Sequence, residues 1–407
     1  MLSNQKNREE LGLKYYEQMI HRCFRCGYCK FTGDSIDINC PSYKKFRFES
    51  FSTGGRMWLI YGLMSNELEW SDHMSKILYA CTTCGNCGEN CKLLSRKFGS
   101  EFAVDIIELA RAEAFKNGFC PEKAINFGNH TAKEHNPYLE KHEDRLSWLP
   151  DDFKNPEDPE IGYFVGCTSS YREIELARNT FEILKKIGVK FAIFREEWCC
   201  GSPLLRTGQR QTAIIQAQHN IELFKNANIK TVVTSCAGCY RTIKEDYSRI
   251  FYDEISEDKL PFEVLHISEY IKRLLDENKI EFKKNLNGKR KVTYHDPCHL
   301  GRHVGLYDEP REILKSIPGL ELVEMRKIKG DATCCGAGGG VKAGFSEWAL
   351  EMASSRVKEA LDTEAEILIT TCPFCEHNFA DAIKEHNYNI QIMDLVNLLK
   401  DLLIKLK

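Results

Sequence analysis

The chain has 407 residues, of which 43% are hydrophobic and 28% charged, with a net charge of -3. These values describe an ordinary soluble globular protein of two to four domains and exclude a general bias toward nucleic acid or anionic membrane. The anomaly is 19 cysteines. Disulfide frameworks belong to small secreted domains, whereas this long chain shows no export signal in MLSNQKNREE and no apolar run of membrane length. It therefore points to metal or redox ligation in a reducing cytoplasm.

Residues 1–125 read as a mainly helical domain, with helical patterns over 8–21 and 101–117, the second stopped by Gly118. Residues 126–160 read as a linker, because 134–160 is polar and carries four prolines. Beyond 161, short apolar strands alternate with amphipathic helices. The strands are expected at 161–165, 189–194, 230–234 and 263–267, then at 291–295, 320–324, 366–370 and 389–393. Helices such as 171–187 and 209–227 fall between them. The alternation predicts parallel α/β modules, so the fold class is α+β multidomain.

The two strand sets superimpose by offset. Cys167 corresponds to Cys298, Cys199 and Cys200 to Cys334 and Cys335, and Cys236 and Cys239 to Cys372 and Cys375, at separations of 131 to 136. The tails HISEYIKRLL and MDLVNLLKDLL agree as well. The chain thus contains an internal duplication, with modules at 161–285 and 286–407. The amphipathic, basic C-terminus is expected to pack on the module, as its repeat partner would, and not to meet a membrane.

The runs CFRCGYC (23–29) and CTTCGNCGENC (81–91) place three thiolates at C-x2-C-x2-C spacing. Such a loop can wrap one face of a cubane, the fourth thiolate coming from the other run, as in two-cluster ferredoxins. Cys23, Cys26, Cys29 and Cys91 then hold one [4Fe-4S] cluster, and Cys81, Cys84, Cys87 and Cys40 a second. A pair of zinc sites is the alternative, which the triple runs disfavour. The first run meets its fourth cysteine only after ten residues, and Cys91 is followed by lysine where proline is usual.

The adjacent cysteines of EEWCCG and DATCCG suit few chemistries. In an extended strand their side chains would point to opposite faces, so a simple tetrahedral site would use both poorly. A turn ending in glycine can direct both sulfurs to one larger metal core. With one cysteine after the first strand and a C-x2-C after a later one, five thiolates per module would converge where parallel strands end. Five is one more than a cubane or a zinc ion needs.

The strings GC…CCG…SCAGC and YHDPCHLGRH…CCGAGGG…TCPFC resemble the cysteine-rich CCG-domain proteins, and in particular the heterodisulfide reductase family in its fused form, where a two-cluster ferredoxin part precedes two CCG modules. The resemblance covers the order of parts over nearly the whole chain. It implies a noncubane [4Fe-4S] cluster on Cys167, Cys199, Cys200, Cys236 and Cys239, and another on Cys298, Cys334, Cys335, Cys372 and Cys375. It also leaves zinc in one module open. The activity it implies is splitting of a disulfide, such as that of coenzyme M and coenzyme B, between two facing clusters, or the reverse. The cubanes would feed electrons singly from a flavoprotein or a membrane cytochrome partner. Related CCG proteins instead pass electrons from a flavin dehydrogenase or electron-transfer flavoprotein to a quinone partner, which is the alternative function. A zinc-rich or nucleic-acid-binding scaffold is disfavoured by the acidic balance. A cytoplasmic site, peripheral to the membrane only through a partner, is the expected location.

Outside the cysteines, His295, His299, His303 and Arg302 crowd Cys298, as cluster support or as proton-delivery and anion-binding groups. Arg206 and Lys342 follow the two CCG motifs and could meet a sulfonate or carboxylate. CCGAGGG lacks nucleotide-binding spacing and is read as a tight turn around a cluster. Cys120 is expected to be an ordinary buried thiol.

Overall fold

The structure is a computed structural model that describes residues 12–32, 37–250, 260–283 and 289–406. The start of the helix expected over 8–21 lies outside the described residues; the rest forms a 3-10 turn at Gly12–Tyr16 running into a helix at Glu17–His21. The N-terminal part is helical, and its longest helix, Phe102–Lys116, buries most of its residues among the other helices. That helix meets the expected span of 101–117 almost residue for residue.

After the helical part come β1 (Ile161–Phe164), β2 (Phe191–Ala192), β3 (Thr231–Thr234) and β4 (Glu263–His266), all parallel and ordered β2-β1-β3-β4. Next is β5 (Ile280–Phe282), then a second parallel sheet of β6 (Arg290–Tyr294), β7 (Leu320–Leu322), β8 (Ile367–Thr370) and β9 (Gln391–Asp394). Its order is β7-β6-β8-β9, the same permutation as the first. The inner strands β1, β3 and β8 are short and almost wholly buried because helices cover both faces, as a parallel sheet requires. The duplication read from cysteine offsets is therefore a duplication of topology.

The two modules share one core. Val233, Leu265 and Ile271 of the first lie in the same apolar cluster as Val292, Ile313, Ile369 and Val396 of the second. Equivalent elements exchange across the boundary: helix Ile174–Lys186 packs on Leu395–Leu399, and Ile267–Asp276 packs on Asp308–Ser316. The C-terminal strand β10 (Leu403–Lys405) pairs antiparallel with β5, Leu403 opposite Phe282. The basic C-terminus thus packs as expected, but on the module it does not follow in sequence.

The segment read as a linker connects the domains, yet it is packed. Its first part is the helix Glu122–Glu134, and Arg145, Leu146, Trp148 and Leu149 are all buried. The polar character that suggested a solvated tether belongs to the residues between these anchors. One buried side chain fastens the helical part to both modules. Arg111 donates to the carbonyls of Leu78 (2.8 Å) and Cys81 (2.6 Å) in the helical part, Arg206 (2.6 Å) in the first module and Gly339 (2.9 Å) in the second. Among the described residues no helix is long and apolar enough to cross a membrane.

Candidate metal centres and the cleft between the modules

Each module brings its five cysteines to the carboxyl ends of its strands. In the first, β1 ends at Phe164 and Cys167 opens a short helix three residues on; in the second, β6 ends at Tyr294 and Cys298 begins a turn four residues on. Cys236 and Cys372 cap the helices that follow β3 and β8, and one turn further on stand Cys239 and Cys375. The CCG glycines explain their own presence. Gly201 and Gly336 adopt left-handed φ of 84° and 91°, so the chain turns back and their N–H groups donate to Cys199 Sγ and Cys334 Sγ, both at 3.4 Å. A Cβ at Gly336 would lie 2.7 Å from the Ala349 carbonyl, so no larger residue fits.

The two sets face one another. A cavity of about 360 Å³ between the modules is lined by all five cysteines of the first and by Cys298, Cys335, Cys372 and Cys375 of the second. The Cys236 and Cys372 thiols meet across the module boundary. The remaining cysteine, Cys334, turns the other way, to a hydrogen bond with Cys84 of the helical part. Through this contact the second module reaches the cysteine runs of the helical part.

The neighbourhoods of the CCG pairs match in electrostatics as well. Hydrogen bonds from Cys199 and then Cys239 bring the Cys200 thiol down to about 6, and Cys334 and Cys375 hold Cys335 well below the ordinary thiol range. The second sulfur of each pair is thus the one its surroundings prefer as thiolate, the form that binds metal. Cys375 lies 3.2 Å from Cys335, sulfur to sulfur.

In the helical part, Cys40, Cys81, Cys84 and Cys87 converge around a small cavity of about 20 Å³, with Cys29 in its wall. Burial pushes the Cys40 thiol up to about 11 and Cys29 to about 12, and Cys23 and Cys26 lie close enough to act on Cys29. Cys26 is exposed. Cys91 packs with Cys23 against the same apolar cluster, and its sulfur accepts from the Leu94 N–H at 3.4 Å. Gly27 and Gly85 take left-handed φ of 85° and 76°, which folds each run back on itself. Cys120 stands apart beside the Thr207 carbonyl at 3.9 Å.

The donor chemistry fits iron–sulfur groups. Thiolates converge in both parts, and five in a module exceed what one zinc ion uses.

The side chains expected around the cleft divide. His299 and Lys342 line it, and the Lys342 ammonium is held by Asn378 (2.8 Å) and Asp381 (2.5 Å). Arg206 also lines it, but its guanidinium is buried and paired with both Glu108 (2.6 Å) and Asp246. It is a structural cation with no free fork for a substrate anion. Arg302 does not reach the cleft. It donates to the carbonyls of Cys84 (3.1 Å), Gly330 (2.8 Å) and Ala332, joining the helical part to the second module. His303 likewise bridges Glu101 (2.7 Å) and the Thr83 carbonyl (3.0 Å). His295 lies behind Cys335, 1% exposed and outside the cleft lining.

Several further groups stand at the cleft without a sequence motif to mark them. Tyr138 lines the cleft and its hydroxyl meets Thr168 Oγ1 at 2.8 Å. His377 lines it too, with Nδ1 2.7 Å from Glu173. Arg145 sits 3.6 Å from Cys167 Sγ and is ion-paired to Glu197, whose carboxylate accepts the Val165 and Gly166 N–H groups (2.7 and 3.0 Å) just before that cysteine. Only His377, two residues past a C-x2-C, carried a positional signal.

Two α/β modules presenting paired CCG cysteine sets, behind a helical part with two cysteine runs, define an iron–sulfur oxidoreductase of the CCG class. Residues 161–244 and 292–380 match the cysteine-rich domain family CCG, and residues 19–93 match the 4Fe-4S dicluster domain. The chain belongs to the heterodisulfide reductase family of CCG-domain iron–sulfur proteins. It is 37% identical over 407 residues to a subunit of the dihydromethanophenazine:CoB–CoM heterodisulfide reductase of Methanosarcina mazei, covering 94% of each chain. It is 30% identical over 363 residues to an EtfAB:quinone oxidoreductase of Syntrophomonas wolfei, covering 84% of this chain and 47% of that one. A crystal structure of a hypothetical protein from Helicobacter pylori shares the fold, with a TM-score of 0.56 at 12% identity, covering 97% of this chain and 74% of that one.

Proposed function

We propose that this chain is the catalytic component of a complex that reduces a disulfide of the coenzyme M–coenzyme B type in the cleft between its two CCG modules. One observation carries the reading: nine cysteines from both modules line a single cavity large enough for a small disulfide. In this reading Cys167, Cys199, Cys200, Cys236 and Cys239 hold one noncubane cluster, and Cys298, Cys334, Cys335, Cys372 and Cys375 the other. Cys23, Cys26, Cys29 and Cys91 hold the outer cubane, and Cys40, Cys81, Cys84 and Cys87 the inner one. Bound there, these clusters supply single electrons and iron sites with affinity for sulfur.

The reaction breaks one S–S bond and forms two S–H bonds, consuming two electrons and two protons. The chain's own residues orient the substrate. Phe127, Tyr138 and Phe374 give the cleft apolar walls, and Lys342 at its side offers a cation to a sulfonate, carboxylate or phosphate. The Cys84–Cys334 contact favours delivery from the inner cubane to the second module. The donor would dock near exposed Cys26, which is surrounded in sequence by exposed Arg22, Phe24 and Tyr28.

The second reading is electron transfer from a flavoprotein to a quinone-reducing partner, favoured by the likeness to the EtfAB:quinone oxidoreductase. Two measurements on strictly anaerobically purified protein separate the possibilities. Four clusters of four irons give roughly 16 iron and 16 sulfide per chain without zinc. The coenzyme M–coenzyme B disulfide, added with reduced viologen as donor, should release two thiols per two electrons consumed. A full iron complement with no thiol release would overturn the disulfide reading and leave electron transfer.

A further inference from the structure

We propose that His295 is an N–H donor to the sulfur ligands of the second CCG centre and not a metal ligand, and that it sets the two centres at unequal potentials. The inference rests on the reading that each five-cysteine set holds a cluster. Ligand atoms of His295, Cys335 and Cys375 all lie within 4.8 Å of one another, and all three residues are buried. Taken alone, that grouping looks like a metal site.

The Arg356 side chain decides otherwise. Its Nε donates to His295 Nδ1 at 3.2 Å, and a guanidinium has no acceptor to offer in return. Nδ1 must therefore carry the lone pair, which puts the ring proton on Nε2 and makes the imidazole neutral. For Nε2 to bind a metal, the proton would have to move to Nδ1, where it would face the Arg356 N–H in a buried space. Neither nitrogen has a lone pair left for iron or zinc.

Arg356 cannot turn away easily. It is fully buried and is also held by the Lys327 carbonyl (2.9 Å) and by Glu359 (2.8 Å), whose carboxylate balances its charge. The His295 ring is fixed from the side by the edge of Phe379, centroids 4.8 Å apart. Its Nε2–H is buried and makes no hydrogen bond of ordinary geometry, while the Cys335 and Cys375 sulfurs lie within 4.8 Å of the ring's ligand atom. A buried donor left unsatisfied is costly, and the acceptors within reach are the Cys335 and Cys375 sulfurs.

At the place corresponding to His295 the first module has no imidazole, and its buried side-chain hydroxyl near the CCG pair, that of Tyr247 beside Cys200, belongs to a different element. The residue three before Cys167 is Phe164, fully buried in the same apolar cluster as Cys200 and Cys239. A phenyl ring cannot donate. Arg145 does reach Cys167 at 3.6 Å, but Glu197 neutralises it and it addresses a different cysteine. An N–H donated to a cluster sulfur favours the more reduced, more negative state and raises the potential. By this contact the second centre is the better electron acceptor of the two.

The test compares the parent with His295→Phe and His295→Gln, all as full-length protein purified anaerobically. Glutamine can accept from Arg356 through its carbonyl and donate through its amide, so it keeps the polarity of the contact. Iron content is counted first, and cluster midpoints are then read by EPR-monitored redox titration. The expected result is one CCG midpoint moved to lower potential in His295→Phe, largely restored in His295→Gln, with iron content unchanged and the other midpoints unmoved. Unmoved midpoints in His295→Phe would overturn the proposal. So would the loss of about four irons, or of a zinc, in both variants, which would make His295 a ligand. A parent short of roughly 16 iron would instead sink the four-cluster reading, and that is visible before any variant is made. Should His295→Phe not accumulate, pulse EPR on the parent decides. A weak nitrogen coupling with an exchangeable proton supports the donor, and a strong coupling of directly bound nitrogen refutes it.

Discussion

Arg145→Met tests whether the segment between the helical part and the first module is a structural member of the site. Arg145 and Glu197 are each 1% exposed at the side chain, and the carboxylate also accepts the two N–H groups that lead into Cys167. Removing the cation leaves a buried carboxylate without its counter-charge, which costs about 3–5 kcal/mol. The two modules share one core and are expected to unfold together, so each kcal/mol lowers the midpoint by about 2–4 °C. The expected drop for Arg145→Met is therefore about 6–20 °C, read by differential scanning calorimetry at one fixed scan rate because such proteins unfold irreversibly. Adding Glu197→Gln to Arg145→Met should recover part of the loss, since the stranded charge is gone, with a coupling of about 1–3 kcal/mol. Arg145→Met within about 2 °C of the parent, or a double variant that loses the full sum of the singles, would refute the argument.

Three further outcomes follow from the same geometry. Burial lowers the His266 pKa to about 3, so the folded chain keeps this ring neutral while the unfolded chain protonates it near 6.5. The contribution is complete above pH 6.5 and falls by about 1.4 kcal/mol per unit below it, so the unfolding midpoint should decline from pH 6.5 to 5 and decline less in His266→Asn, an adequate helix cap. A parallel decline in both would count against it. Cys84→Ser should lower iron from roughly 16 to roughly 12 per chain in anaerobic metal analysis, and an unchanged count would remove Cys84 from the inner cubane. Lys342→Ala should raise KM for an anionic disulfide roughly five- to tenfold with little change in kcat, Asp381 already sharing the charge; an unchanged KM would place the substrate elsewhere in the cleft.

Much of this architecture was legible in the sequence because its signals are periodic or repeated. Each of the eight expected strands of the two modules is present, though β2 shrinks to Phe191–Ala192 because it pairs only with the edge of β1. The cysteine offsets gave the duplication directly. What escaped was chemistry carried by single residues whose neighbours are distant in sequence. Arg145 looked like one solvated charge among many in a polar stretch, and only the fold brings Glu197 to it. Arg206 and Arg302 looked like available cations beside the motifs. Their partners, Glu108 and Asp246 for one and three carbonyls for the other, come from remote stretches that no local pattern connects to them. The shared core was equally hidden, since a strand's alternation cannot reveal which module its apolar face meets.

The exchange of helices across the module boundary and the β5–β10 pairing are what two copies of one protein would make as a symmetric pair. A symmetric pair, however, must alter both halves of its cleft with every mutation. Joined in one chain, the halves mutate independently. Phenylalanine and histidine can then occupy corresponding places at 164 and 295, and one cysteine set can be linked to the cysteine runs of the helical part through Cys84 and Cys334. Fusion is thus the condition under which a duplicated cleft can acquire a direction.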